Sequence, residues 1–185
     1  MSEFNIEVQG GSSVRLPTAG KYCDRDIIVT ASGGDEDTLR AWLLNTLTEI
    51  NINDEIQFGS KRLHCSSLVK FSAPNLNGSC AGYVFYGCGK LRYIDIGKAT
   101  SLDVNAIGGL HAIETVIMRK SDTVVPLSNK FTNNHSITRE DYTYYCYFYV
   151  PKALIEDYKV ATNWSNYANR FRAIEDYPDI TGGTL

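Results

Sequence analysis

The residues of this 185-residue chain that could do chemistry are few and scattered. His64, His111 and His135 form no H-E-x-x-H or H-x-H and have no Cys or Asp at ligand spacing, so no metal site is legible. Cys23, Cys65, Cys80, Cys88 and Cys146 contain no C-x-x-C pair and are odd in number, which fits neither a disulfide framework nor a zinc site. They are expected to be buried thiols that pack as small apolar groups. Asp24-Arg25-Asp26 reads as a solvated turn with a surface ion pair. There is no Gly-x-Ser-x-Gly elbow, phosphate-binding loop or dinucleotide fingerprint, and Gly108-Gly109 and Gly182-Gly183 are isolated turn pairs. Glycoside hydrolysis depends on a separation of carboxylates in space that a sequence does not fix. The expectation is a chain with no catalytic residue, no cofactor and no metal.

What the side chains do offer is contact. Twelve tyrosines and seven phenylalanines supply rigid, amphipathic area that costs little entropy to order, and their faces suit either sugar rings or protein. The candidate binding residues are Lys70, Arg92, Tyr93 and Glu114, with Thr115 beside them, and Tyr145, Tyr147 and Tyr149. The first group stands between the apolar positions of a repeat and should point outward, as should the loop from residue 120 to 141.

That repeat is the element on which the rest depends. Leu47-Thr48-Glu49-Ile50-Asn51-Ile52, Leu68-Val69-Lys70-Phe71, Leu91-Arg92-Tyr93-Ile94-Asp95-Ile96 and Ile113-Glu114-Thr115-Val116-Ile117-Met118 are versions of one phrase, with first apolar positions 21, 23 and 22 residues apart. A period in the twenties with an L-x-x-L/I core matches the leucine-rich-repeat register, one short strand per unit plus a variable return. No unit hides its apolar face alone, so stacking must build the core, and Leu47, Leu68, Leu91 and Ile113 should form one interior column.

Tyr83-Val84-Phe85-Tyr86-Gly87-Cys88-Gly89-Lys90-Leu91-Arg92-Tyr93-Ile94-Asp95-Ile96 resembles the AF-x-G-C-x-x-L-x-x-I-x-I unit of BspA-type leucine-rich repeats, and Cys65-Ser66-Ser67-Leu68 repeats its C-x-x-L part. The fourth unit departs, with Leu110 where Cys would stand. The resemblance, which spans roughly residues 45 to 177, implies an α+β fold: a short solenoid with helical caps behind a small N-terminal β module. The run from Gly11 to Ala31 is similar to the N-terminal segment of phage and prophage structural proteins of gut bacteria, which implies a virion or tail-associated component. The run from Tyr149 to Leu154, through Asn163-Trp164, resembles the C-terminal cap of the same repeat family.

Three units follow. Residues 1–34 alternate apolar and polar positions between Gly- and Pro-rich turns, as a β module does; about 30 residues cannot build a core unaided, so this module should lean on the repeats, on copies of itself or on another protein, and is the expected virion anchor. Residues 35–178 are the expected repeat domain. The acidic linker 32–37 precedes Leu39, Trp42, Leu43, Leu47 and Ile50, whose spacing predicts a capping helix ending near 45–47. At the other end Tyr142 to Val150 reads as a strand, Pro151 as a helix start, and Asn163 to Phe171 as a second short helical turn with Trp164, Tyr167 and Phe171 as cap core. Residues 179–185 read as a frayed tail.

Composition narrows the function. A formal net charge of -3 gives no reason to expect nucleic acid, no apolar run nears the ~20 residues of a bilayer span, and Met1 to Glu7 lacks the blocks of a secretory signal. The Asn-x-Ser sequons at Asn77, Asn134 and Asn163 are inert without secretion. The expected role is a non-catalytic phage tail or baseplate protein, assembled in the host cytoplasm into the virion. Residues 1–34 would meet other virion proteins and the repeats a host-surface glycan or protein, in a homo-oligomer or a larger assembly, trimers being common in tail appendages by analogy. A bacterial repeat adhesin is the alternative, and a glycan depolymerase ranks last.

Overall fold

Strand-forming residues recur at one interval, and the chain answers with one long parallel ladder. The structure is a computed structural model that describes residues 13–15, 48–51, 65–131 and 145–183. Strands β1 (Ser13–Arg15), β2 (Glu49–Asn51), β3 (Lys70–Ser72), β4 (Ser79–Cys80), β5 (Tyr93–Asp95) and β6 (Ser101–Leu102) are followed by the short helix α1 (Val104–Ile107). Then come β7 (Thr115–Ile117), β8 (Tyr147–Val150), helix α2 (Ile155–Val160), β9 (Phe171–Ala173) and helix α3 (Pro178–Thr181). Seven strands form one parallel sheet in the order β1-β2-β3-β5-β7-β8-β9, while β4 and β6 pair in a second, also parallel. Leu127 extends the second ladder by bridging to Leu102. From β3 to β7 the chain therefore passes between the two ladders in turn, and the main core lies between them.

Register carries the period into space. Ile50, Phe71, Ile94, Val116, Phe148 and Phe171 are successive partners across the large sheet, and all are at most 4% exposed. Leu68, Leu91 and Ile113, each three residues earlier, are buried as well; Leu47 lies outside the described residues. The C-x-x-L phrase is a hydrogen-bonded turn, in which the Leu68 amide donates to Cys65 O at 3.1 Å and the Leu91 amide to Cys88 O at 3.0 Å. Leu110 does occupy the cysteine's place: its amide donates to Ile107 O as that of Cys88 does to Phe85 O. Cys65, Cys80, Cys88 and Cys146 are free and buried. Burial pushes the Cys65 and Cys146 thiols up to about 12 and Cys88 to about 11, which suppresses the thiolate that redox or nucleophilic chemistry needs.

Gly97 follows β5 at φ +51, where a Cβ would lie 2.4 Å from Ala73 O and 2.5 Å from Pro74 O. Backbone cannot swing away as a flexible side chain can. Gly97→Ala is predicted to lower stability by about 2–3 kcal/mol, combining left-handed strain with the clash, as read from urea unfolding.

Three expectations need correction. The loop from residue 120 does not simply point outward, since Val125, Leu127 and Phe131 are at most 4% exposed. Aromatic side chains pin them: Trp164 Nε1 donates to Val125 O at 2.7 Å, the Val125 amide to Tyr158 Oη at 3.0 Å, and the Phe131 amide to Tyr167 Oη at 2.8 Å. Phe171, expected in a helical turn, opens β9 and adds a strand beyond β8. Residues 179–181, expected in a tail, complete α3 and bury Thr181 at 2% exposure. Of residues 1–34 the structure describes β1, which pairs in parallel with β2 in the large sheet; the other strands expected there and the helix expected after residue 38 lie outside the described residues.

Candidate binding surface

A strand that buries its middle residue turns its neighbours to the opposite face. On the large sheet this sets out two outer rows. The first runs Glu49, Lys70, Tyr93, Thr115, Tyr147; the second runs Asn51, Ser72, Asp95, Ile117, Tyr149. From β5 to β8 the chain covers the second row itself. Ile117, Tyr149 and Ile174 form a small buried cluster against which Tyr93 and Tyr147 pack, and Tyr177 meets the Tyr149 ring edge-on at 5.5 Å. Beneath this strap of residues 174–181 sits an ion pair with Arg119 5% and Asp95 1% exposed, at 2.7 Å. Asp95 also accepts from the Gly97 amide, and Arg119 donates to Thr181 O.

The first row stays open. Lys70 Nζ is 2.8 Å from Glu49 and 5.4 Å from the centre of the Tyr93 ring. Its hydrogen bond, together with that from Asn51, holds the Glu49 carboxyl below the usual range. Arg92 lies 3.4 Å from Glu114, whose Oε1 is buried and accepts no hydrogen bond among the described residues. Burial pushes the Tyr93 hydroxyl up to about 12, with Asp95 adding to the rise. At the far end two guanidinium groups cover two tyrosines, Arg170 over Tyr145 and Arg172 over Tyr147, each 4.4 Å from the ring centre. The two rings lean on each other at 5.5 Å, and Asn169 Nδ2 donates to Tyr145 Oη at 3.3 Å.

Of the residues singled out by sequence, Lys70, Arg92, Tyr93, Glu114, Tyr145 and Tyr147 thus border or form the open row. Tyr149 does not reach it, being 5% exposed beneath the strap, and drops out as a contact residue. Arg170, Arg172 and Asn169 went unnoticed, although a signal existed: Phe171 lies 23 residues after Phe148, its sheet partner, at the spacing of the earlier repeats. Among the described residues no group of His, Cys, Asp and Glu could hold a metal, and no helix is long and apolar enough to cross a membrane. His111 is exposed, while His64 and His135 lie outside the described residues.

Comparisons with protein-family models, curated proteins and solved structures returned no match.

Proposed function

We propose that the chain is a non-catalytic phage virion protein of the tail or baseplate. It would hold a host-surface molecule, or another virion protein, on the outer face of a leucine-rich-repeat solenoid. One observation carries the reading: charged and aromatic side chains stand in register on adjacent parallel strands, so the open row offers fixed contacts about 4.8 Å apart. Solenoids bind through such extended surfaces. Residues 1–34, which contain the phage-like segment from Gly11 to Ala31, supply the anchor, with β1 at the edge of the sheet among the described strands.

Particles assembled with a chain lacking residues 1–34 should contain none of it, as measured by mass spectrometry of purified virions. Incorporation at the wild-type level would remove the anchoring role, and turnover of host glycans by the intact chain would overturn the non-catalytic reading.

A further inference from the structure

We propose that Arg172 is a preformed receptor for a carboxylate, and that the carboxylate is an acidic side chain of a partner protein. This rests on the reading of the outer face as a binding surface and names the chemistry that surface takes. A guanidinium carries five N–H donors in a planar fork. In Arg172, Nη1 donates to Asn169 O at 3.0 Å and Phe171 O at 2.8 Å, and the group lies 4.4 Å over the Tyr147 ring. These contacts fix its plane. The edge formed by Nε and Nη2 meets no acceptor among the described residues. Nor is it sealed from water, since the buried unpartnered polar side-chain atoms of the described residues comprise Glu114 Oε1 alone. That edge is the one that can grip both oxygens of a carboxylate.

The neighbouring charges leave it unanswered. Arg92 has Glu114 and Arg119 has Asp95, whereas Arg172 has no ion pair among the described residues. Nearby acids are engaged elsewhere: both Glu175 oxygens accept from the Lys152 amide, at 3.1 and 2.9 Å, and Asp176 accepts from Lys152 Nζ at 2.8 Å. The tyrosines decide between sugar and protein. A pyranose stacks on an open ring face, but Tyr145 and Tyr147 each have a face under a guanidinium and lean on one another. The patch presents N–H and O–H groups around an aromatic wall, and Arg with Tyr is the pairing that anchors protein interfaces.

The test follows the arginine Nε–H resonances of the full chain by proton–nitrogen spectroscopy. Synthetic hexaglutamate, trigalacturonate, and sodium chloride at matched ionic strength are titrated in separate arms. Hexaglutamate should move the Arg172 resonance, which Arg172→Lys identifies by its loss. In that variant binding, read from the Tyr147 backbone amide, should weaken about tenfold, because lysine keeps the charge and loses the fork. The inference is overturned if hexaglutamate does no more than sodium chloride, if Arg172→Lys binds as well as the wild type, or if trigalacturonate binds more tightly. The broader reading fails on different evidence: unchanged cell retention of variants along the open row.

Discussion

Replacing Arg119 by alanine is expected to lower the free energy of unfolding by about 3–5 kcal/mol, the usual cost of leaving one member of a buried ion pair behind. Asp95 would remain at 1% exposure, keeping the Gly97 amide and losing the guanidinium that donates to it at 2.9 and 2.7 Å. Thr181 O would lose its donor too, so the strap should loosen and limited proteolysis should cut near residues 174–183 first. Burying two charges is itself costly, and apolar replacement of both is often neutral. The double variant Asp95→Leu/Arg119→Met should therefore unfold at a higher urea concentration than Arg119→Ala. A loss below about 1 kcal/mol for the single variant would place the pair among weak surface bridges and contradict its burial.

The second large effect lies at the other end of the core. Trp164 is fully buried and meets Phe148, Tyr158 and Phe171 edge-on at 5.0, 5.9 and 5.7 Å. Trp164→Ala should cost about 3–5 kcal/mol for the lost burial and the cavity. It also removes the donor to Val125 O. Trp164→Phe separates the two terms: it keeps a ring and loses the N–H, and should cost about 1–3 kcal/mol for an unsatisfied buried carbonyl. Urea unfolding of both variants checks the order, and equal losses would mean that the hydrogen bond to the loop accounts for the whole effect and the burial of the ring for none of it.

How much of this could be read in advance follows from what constrains each residue. The column through Ile50, Phe71, Ile94 and Val116 was legible because burial demands apolar side chains at a fixed interval. The next step was not, because 32 residues separate Val116 from its partner Phe148 and the pattern loses its phase there. Val125, Leu127 and Phe131 looked like polar loop because Asp122, Ser128 and Lys130 surround them; Tyr158, Trp164 and Tyr167, more than 30 residues away, hold them inside. The strap was illegible for a similar reason. Ile174 and Thr181 are buried while residues 175–180 are exposed, and that pattern has neither a helix nor a strand period. The outer face gave only candidates, since solvent tolerates many residue types, and the guanidinium partners of Tyr145 and Tyr147 follow from β9, which a short strand between helical turns concealed.

The claim that most needs testing is that the open row is what binds. Fluorescently labelled wild-type chain and a Lys70→Glu/Arg92→Glu/Tyr145→Ser variant, matched by circular dichroism and melting temperature, would be compared for retention on cells of the bacterial host, with Lys130→Glu/Lys159→Glu as a charge-matched control. Reversing Lys70 and Arg92 sets like charges against Glu49 and Glu114, so retention should fall at least about tenfold in the row variant and stay at the wild-type level in the control. Equal retention of all three proteins would contradict the account.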